Sequence, residues 1–281
     1  MNGAETEPAV EPAADSPATP VKKPKEEGSF LWFLVKLVLF VLIFRTFIFS
    51  TFSIPSESML PRLMVGDYLF TAKWPYGYGR ASLPVDIDIG DGRLFGSLPE
   101  RGDVVVFKHP IDRSDYIKRV IGLPGDTIQM VAGVLHIDGV PVKKERIADF
   151  VRPIGPYNTC RVERFRERAA DGTMMCRYPR FRETLPSGRT YEVLDFGLTG
   201  ADTTAATVVP EGMLFVMGDN RDASADSRFP AAKGGAVGLL PAENVVSRAE
   251  MIAFSTDGTS SWINPVSWFT AARGERIGDG L

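Results

Sequence analysis

The chain separates by hydrophobicity into a polar beginning, one long apolar run and a remainder built of short apolar stretches. Residues 1–28 are rich in Ala, Pro, Glu and Thr and contain almost no large apolar side chains. Such a segment buries too little apolar surface to offset the entropy cost of ordering it. We therefore expect residues 1–28 to be a disordered tail.

The apolar run covers residues 30–49, where the only polar residues are Lys36, Arg45 and Thr46. A helix of this length is about 30 Å long, which is enough to cross the hydrocarbon core of a bilayer. Both cations lie away from the helix centre and fall on different faces, so no polar stripe forms for an interfacial helix. The pattern predicts a single transmembrane helix over residues 29–49. A cleaved signal peptide is the alternative, which the length of the run disfavours.

Positive charge flanks only one end of the apolar run. Lys22, Lys23 and Lys25 precede it, whereas the first cation after it is Arg62. Cytoplasmic flanks of membrane spans carry an excess of Lys and Arg. The asymmetry predicts a single-pass protein with a cytoplasmic N-terminus and its remaining residues on the outer side of the membrane.

The rest of the chain alternates short β-branched stretches with turns, and the sequence holds 27 Gly and 21 Pro. This composition predicts a mainly β fold, with residues 50–126 and 211–281 forming an antiparallel β-sheet core. Residues 127–210 have more polar loops and are expected to form a nested, smaller β subdomain. Residues 74–99 are expected to form a loop. The predicted strands cover residues 67–72, 103–107, 115–121, 127–130, 134–137, 191–194 and 213–217.

The net charge of −3 argues against nucleic acid as the main partner. His109 and His136 are far apart in the chain, and no Cys-x-x-Cys or His-Glu-x-x-His string occurs. We therefore expect no metal site and no cofactor. Cys160 and Cys176 flank a polar loop, and from spacing alone a disulfide and two free thiols are equally compatible. The predicted location outside the cytoplasm favours the disulfide.

Two serines lie between prolines just after the apolar run. Pro55 and Pro61 fix φ and bias their preceding residues toward extended geometry. In an extended segment Ser56 and Ser58 point to one side and Glu57 to the other. Two hydroxyls on one side suit a nucleophile and an oxyanion donor, although the same string is also typical of a solvated loop.

A pair of adjacent cations, Lys118 and Arg119, occupies the predicted strand over residues 115–121. Alternation along a strand does not reveal which of the two side chains is buried. The residue type limits the chemistry, because an arginine stays protonated in proteins. A lysine acts as a base if burial lowers its pKa from about 10.4 to near 7 or 8.

Four motifs occur in an order that resembles bacterial type I signal peptidases, also called leader peptidases. With the apolar run, the resemblance covers residues 30 to about 249, and four motifs in order behind a membrane span are highly specific. The motifs are PSESM at residues 55–59, RGDVVVF at 101–107, DYIKRVIGLPGD at 115–126 and GDNRDASADSR at 218–228.

The resemblance implies a Ser/Lys serine endopeptidase that removes signal peptides from exported preproteins, after Ala-x-Ala type sites, at the outer face of the bacterial plasma membrane. It also implies that residues 50–126 and 211–281 form the antiparallel β-sheet catalytic domain and that the nested subdomain, residues 127–210, is non-catalytic. Ser58 matches the nucleophile and Lys118 the general base. The Ser58 N–H and the Ser56 hydroxyl match the oxyanion hole. Ser224 matches the serine that orients the lysine by a hydrogen bond, and Asp226 with Arg228 matches a pair that braces the site.

The resemblance also implies that the substrate binds in extended form, with small side chains in shallow pockets one and three positions before the cut. The expected partners are signal peptides of secreted preproteins and the lipid bilayer. Some family members have a small residue in the place of Glu57, which is expected to point away and be tolerated. The expected substrate-binding residues are Phe52, Ile54, Pro55, Met59, Leu63, Asp115, Tyr116 and Ile117.

Two other functions fit the same features. One is a maturation peptidase dedicated to a single pilin- or conjugation-type substrate. The other is an inactive, membrane-anchored peptide-binding module, which the presence of both Ser58 and Lys118 disfavours. Near the end of the chain, Trp262, Trp268 and Phe269 are expected to cap the core, with contact to the bilayer interface as the alternative.

Overall fold

The computed structural model describes residues 27–82, 93–155, 158–260, 263–264 and 266–281. The chain forms two compact units, Met1–Val41 and Leu42–Leu281. Most of the predicted disordered tail lies outside the described residues, as does Trp262, and the Trp268 side chain is not described either. The predicted division of the larger unit into a core and a nested subdomain stays a prediction.

Helix α1 (Glu27–Phe47) is built from Leu, Val, Phe and Ile with few polar interruptions. Every side chain from Phe30 to Ile43 is exposed. Lys36 lies over the Trp32 ring, with Nζ 5.7 Å from the ring centroid. In the part of the chain that is described, no helix is both long and apolar enough to cross a membrane. The predicted transmembrane helix is therefore not confirmed.

The larger unit is mainly β, as predicted, and its strands pair antiparallel. It also contains one short helix, α2 (Val266–Thr270). The described strands are β1 (Phe49–Ser53), β2 (Asp67–Ala72), β3 (Val104–Lys108), β4 (Asp115–Gly122), β5 (Thr127–Val131), β6 (Val134–Ile137), β7 (Val140–Pro141), β8 (Lys143–Pro153), β9 (Arg166–Arg168), β10 (Met174–Thr184), β11 (Thr190–Leu194), β12 (Thr207–Val208), β13 (Met213–Met217), β14 (Leu240–Pro241) and β15 (Val245–Ser255).

Three sheets organise these strands. A seven-stranded sheet has the order β1-β2-β15-β3-β4-β13-β14. A four-stranded sheet has the order β12-β5-β6-β7, and a second one consists of β11-β10-β8 with β9 paired to β10. We call the last one the β10 sheet. Each sheet combines strands that are distant in sequence or connected by hairpins, so the site described below depends on long-range pairing.

The register of β4 sets the position of its two cations. Lys118 lies opposite Val105 on β3, and Arg119 lies opposite Val104 on β3 and Met217 on β13. The strand is covered on both faces, because residues 117–122 are all buried. Lys118 and Arg119 are therefore both buried, at 4% exposure each, although they point to opposite faces.

Three long or irregular strands escape recognition in the sequence. Strands β8 and β10 are 11 residues each and carry many charged side chains, so their apolar alternation is masked. Strand β15 shifts register between Ala249 and Met251 and again between Ile252 and Phe254, which breaks the period of two. The predicted loop over residues 74–99 contains two short 3₁₀ turns, Trp74–Tyr76 and Arg80–Ser82, and residues 83–92 lie outside the described chain.

A compact apolar cluster joins the β10 sheet to the turn that carries Ser58. Cys160 and Cys176 form a disulfide, with their Cα atoms 5.5 Å apart. We call this group the disulfide cluster. Its buried members are Leu60, Cys176, Tyr178, Leu194 and Phe196.

The described tail aromatic does not cap the core. The side chain of Phe269, on α2, is 84% exposed to solvent. The expectation that it covers the apolar interior is therefore wrong. A helix of five residues makes little more than one turn, so it offers little apolar surface to pack against the core.

Candidate active site

Ser58 lies in a turn and not in the extended segment that the flanking prolines predict. The Leu60 N–H donates to the Glu57 carbonyl at 3.1 Å, and the Leu63 N–H donates to the Met59 carbonyl at 2.9 Å. These local hydrogen bonds compete with extended geometry and reverse the chain direction. The turn still brings the two hydroxyls together, with Ser56 Oγ and Ser58 Oγ 3.3 Å apart. Below, the Ser58 turn means residues 56–61.

Lys118 reaches Ser58 from strand β4. Its Nζ donates to Ser58 Oγ at 2.8 Å and to the Ile117 carbonyl at 2.9 Å. Burial lowers the pKa of Lys118 to about 8, although the charges of Asp226 and Asp219 oppose this shift. About half of Lys118 is then neutral near pH 8, and in this form the amine can accept a proton from the Ser58 hydroxyl.

Asp226 and Arg228 form a buried ion pair beside the lysine. Arg228 Nε donates to Asp226 Oδ1 at 2.9 Å, and Arg228 Nη2 donates to Asp226 Oδ2 at 3.0 Å. The Gly218 N–H donates to Asp226 Oδ2 at 3.0 Å. Burial alone raises the pKa of Asp226, but Arg228 and these hydrogen bonds hold it below its usual value. Asp226 is thus a fixed negative charge in the site.

Ser224 does not contact the lysine as expected. Within the described residues, Lys118 Nζ bonds to Ser58 and Ile117, and no hydrogen bond joins it to Ser224. The Ser224 hydroxyl is buried, has no hydrogen bond of regular geometry, and contributes to the low pKa of Asp226. The hydroxyl therefore acts on the Asp226 carboxylate and makes no hydrogen bond to the lysine.

Asn220 and Gly218, which lie in the motif at residues 218–228, belong to the site although their residue types alone suggest no role. The Asn220 N–H donates to the Ser58 carbonyl at 3.0 Å, and Asn220 Nδ2 donates to the Glu57 carbonyl at 3.1 Å. A Cβ on Gly218 would lie 2.5 Å from the Ser58 carbonyl oxygen and 2.3 Å from Ser224 Oγ. Asn and Gly in the string GDNRD are also ordinary turn residues, which hid both contacts.

Two further buried ion pairs support the segment after β13. Arg119 binds Asp219 through Nε and Nη2, at 2.8 and 2.7 Å. Arg221 binds Glu183 on β10 through both Nη atoms, at 2.9 and 2.6 Å. Each pair is bidentate, a geometry that fixes both side chains. The Ser58 turn and strand β4, which carries Lys118, are therefore held against the rigid segment that follows β13.

The expected substrate-binding residues differ in accessibility. Met59 and Leu63 are fully buried, so they lie behind the surface and cannot contact a peptide in this arrangement. Ile54 and Ile117 are also buried, at 3% and 9% exposure. The better exposed members of the set are Phe52, Pro55, Asp115 and Tyr116.

The acid groups of the site bind arginines or backbone groups. Among the described residues, no group of three or more His, Cys, Asp or Glu side chains could hold a metal ion. The reactive groups of the site are the Ser58 hydroxyl and the Lys118 amine, which are joined by a hydrogen bond.

The family model described as signal peptidase, peptidase S26, matches residues 28–254. The chain belongs to the signal peptidase family. Signal peptidase I of Rickettsia prowazekii is 36% identical over 252 residues, which cover 86% of this chain and 84% of the relative. Signal peptidase I of Rickettsia typhi is 36% identical over 255 residues, covering 87% and 85%. Family membership makes the chain a serine peptidase.

A solved structure, the crystal structure of a signal peptidase I from Enterococcus faecalis, is also similar to part of the chain. It is 25% identical and covers 54% of this chain and 97% of its own, with a TM-score of 0.29. At this TM-score the signal peptidase assignment rests on the sequence matches.

Proposed function

We propose that the chain cleaves N-terminal signal peptides from exported preproteins, with Ser58 as nucleophile and Lys118 as general base. The hydrogen bond from the buried Lys118 Nζ to Ser58 Oγ, at 2.8 Å, is the observation that carries this proposal. No activated serine hydrolase works without a base, and a lysine with a pKa of about 8 is suited to that role. The relatives named signal peptidase I supply the substrate class.

The reaction follows from this contact. Neutral Lys118 removes the proton of the Ser58 hydroxyl while Oγ attacks the carbonyl carbon before the scissile bond. The resulting Lys118 ammonium donates its proton to the leaving amine, which becomes the new N-terminus of the mature protein. Water then attacks the acyl-enzyme, and Lys118 accepts a proton from it. The resulting ammonium returns that proton to Ser58 Oγ as the bond between Oγ and the acyl carbon breaks, which regenerates Ser58 and neutral Lys118 and releases the signal peptide.

The negative charge that develops on the carbonyl oxygen needs hydrogen-bond donors. The Ser58 N–H makes no hydrogen bond to a protein acceptor within the described ranges, so it is available to a substrate. The exposed Ser56 hydroxyl, 3.3 Å from Ser58 Oγ, is the proposed second donor. Together they form the proposed oxyanion hole.

Asp226, Arg228 and Ser224 act as supporting residues in this proposal. The Asp226 carboxylate is held by Arg228 and by the Gly218 N–H. Its negative charge favours the ammonium form of Lys118, which arises during each proton transfer. The supporting residues thus stabilise the charged intermediate state of the base while burial keeps the resting amine partly neutral.

The substrate is proposed to bind as an extended segment near β4 and the residues that precede Ser58. Small side chains one and three positions before the cut fit a surface backed by Ile54 and Ile117, which belong to one apolar cluster. Cleavage after Ala-x-Ala type sites is part of this proposal. Phe52 and Tyr116, both partly exposed, are the side chains placed to contact the peptide directly.

We also propose that residues 29–49 anchor the enzyme in the bacterial plasma membrane in a single pass, with the N-terminus in the cytoplasm. The apolar sequence, the exposure of the α1 side chains from Phe30 to Ile43 and the lysines that precede them support this topology. A disulfide between Cys160 and Cys176 is in keeping with an oxidising compartment on the outer side. The matches over most of the chain do not favour a single-substrate peptidase or an inactive binding module.

The test uses the full chain in detergent with a preprotein that carries an Ala-x-Ala site. We expect wild type to release a mature protein whose N-terminus, read by mass spectrometry, follows the second Ala. Ser58→Ala should release none, and Ser187→Ala, which removes a hydroxyl from an exposed turn, should cleave at the wild-type rate. Cleavage by Ser58→Ala, or none by folded wild type on a panel of preproteins, would reject the proposal.

A further inference from the structure

The side chain between the two serines is tied to the β10 sheet. Glu57 turns away from the Ser58 hydroxyl, and its carboxylate accepts a hydrogen bond from Arg152 Nη2. The two residues are 95 positions apart in the chain. The Arg152 side chain is only 3% exposed and that of Glu57 is 23% exposed, so solvent screens this ion pair poorly. Arg152 belongs to strand β8.

Arg152 is held from several sides. Its Nη2 also donates to the Thr159 carbonyl at 3.1 Å, and its guanidinium carbon lies 6.0 Å from the centroid of the Tyr178 ring. Its partner across the β8–β10 ladder is Cys176, which is bonded to the residue after Thr159. In the described chain, Glu57 is the carboxylate that pairs with Arg152. The strand pairing, the Thr159 carbonyl and the Tyr178 ring thus hold the guanidinium through contacts other than Glu57.

The Ser58 turn is fixed at three points, and Arg152 supplies one of them. Asn220 binds the carbonyls of Glu57 and Ser58. Leu60 is fully buried in the disulfide cluster. The ion pair with Arg152 holds the Glu57 side chain. Without it, the Glu57 side chain loses its ion pair, and the turn depends on the hydrogen bonds to Asn220 and on the burial of Leu60.

We propose that Arg152 is a positioning residue for the reaction, which orients the Ser58 turn through its ion pair with Glu57 and so keeps Ser58 Oγ on Lys118 Nζ. This inference rests on the proposed roles of Ser58 and Lys118. Arg152 itself touches neither the nucleophile nor the base. It also gives Glu57 a function in this chain, where the family resemblance alone implies only that the residue is tolerated.

The physical basis is the cost of an unpaired buried charge. Removing either partner leaves the other charge poorly solvated, and the structure relaxes by moving that group toward water. The Ser58 turn is the movable side of this pair, because Arg152 sits within a β-ladder. A displacement of about 1 Å between reacting groups lowers catalytic rates by about 100-fold.

The experiment compares Glu57→Gln, Arg152→Gln and the double variant with wild type on the preprotein substrate. We expect each single variant to lose about 10- to 100-fold in kcat with little change in KM, because binding precedes the misaligned step. The double variant removes both charges and allows an amide–amide hydrogen bond. It should recover at least part of the lost kcat, since no unpaired charge remains.

A matched control lies on the same sheet. Arg177 on β10 pairs with Glu167, with side-chain exposures of 47% and 39%, and Arg177→Gln should keep wild-type kcat and KM. If Arg152→Gln fails to fold, Glu57→Gln alone tests the inference. Glutamine has the size of glutamate, and the Glu57 side chain is the more exposed of the two, so this variant is expected to fold. Wild-type kcat in Glu57→Gln would overturn the inference, as would single-variant losses that the double variant does not reduce.

A second readout separates this inference from the proposed function. The rate at which an activated ester acylates Ser58, followed by intact mass, measures the contact of Ser58 with its base without any preprotein. Slower acylation in both single variants supports the inference, even if wild type were to cleave no preprotein. Equal acylation rates in all variants overturn it, even if wild type cleaves preproteins at Ala-x-Ala sites.

Discussion

Lys118 Nζ lies 2.8 Å from Ser58 Oγ and donates a hydrogen bond to it, while burial lowers the pKa of Lys118 to about 8. The proposed base works only in its neutral form. Below this pKa the neutral fraction of Lys118 rises about tenfold for each pH unit. We therefore expect kcat/KM to rise with pH up to about 8 and then level off. Measurement with a preprotein across pH 5–10 checks this, and a flat profile would contradict a lysine base. Lys118→Arg should be inactive throughout, because a guanidinium stays protonated.

The same pKa predicts a pH-dependent cost to stability. The folded-state pKa of Lys118, about 8, is below the ordinary value of 10.5, so burying the ammonium costs stability at neutral pH. This cost is fully present below about pH 8 and disappears as the pH rises to about 10.5. We compare the free energy of unfolding of Lys118→Met with that of wild type. The value for the variant minus the value for wild type should fall by about 3 kcal/mol between pH 7 and pH 11, because only wild type recovers the cost of the buried ammonium. Urea unfolding at both pH values measures the difference, and a constant difference would mean that the lysine pKa is not lowered.

Gly218→Ala tests the close approach of the backbone to the Ser58 turn. The added methyl would lie 2.5 Å from the Ser58 carbonyl oxygen, so the turn or the segment after β13 must shift. We expect a loss of about 100-fold in kcat/KM, the scale of a displacement of about 1 Å in an active site. Gly200→Ala is the matched control, because nothing lies within 4 Å of its added Cβ. Equal activity of the two variants would show that the site tolerates the shift.

Glu183→Gln tests the buried ion pair with Arg221, whose side chains are 0% and 2% exposed. The variant leaves a buried, unpaired guanidinium and should lower the free energy of unfolding by about 3–5 kcal/mol. Denaturant unfolding of both proteins measures this loss. Glu167→Gln removes the carboxylate of an exposed pair and should leave the unfolding midpoint unchanged. Similar midpoints for all three proteins would contradict the prediction.

Replacing both cysteines by serine removes the bond between Cys160 and Cys176, which closes a segment with a sequence separation of 16. A loop of this size gives a disulfide a stabilising effect of about 3 kcal/mol in the chain-entropy account. We expect the unfolding midpoint of the Cys160→Ser/Cys176→Ser variant to fall accordingly. Reducing agent should lower the wild-type midpoint toward that of the variant and leave the variant itself unaffected. An unchanged midpoint in both experiments would mean that the disulfide does not constrain the unfolded chain.

The sequence predicts the strands whose side chains alternate cleanly or are apolar throughout, such as β3, β6 and β13. It does not predict β8 and β10, because their many charged residues interrupt the apolar alternation. Charged residues of β10 pair with the neighbouring strands, Arg177 with Glu167 on β9 and Arg180 with Glu192 on β11. Strand β15 escapes because its register shifts interrupt the alternation. Edge and bulged strands can therefore be recognised only from their pairing partners, which the local sequence does not encode.

The candidate site shows the same division. Residue types point to Ser58 and Lys118, but alternation cannot decide between Lys118 and Arg119, because β4 is covered on both faces and both cations are buried. Asn220 reaches Glu57 across 163 positions of sequence, and Arg152 does so across 95. Contacts at such separations have no local signature, since Asn in a turn and Arg in a charged strand are ordinary residues.

Strand β4 places a titratable amine and a permanent cation at consecutive positions. Shifting the ladder with β3 by one residue would direct Arg119 toward Ser58 and expel Lys118 to the opposite face. A molecule misregistered in this way would lose the proposed base and would also break the buried Arg119–Asp219 pair. One register of β4 thus serves catalysis and stability together, so an alignment error that inactivates the enzyme also costs folding free energy.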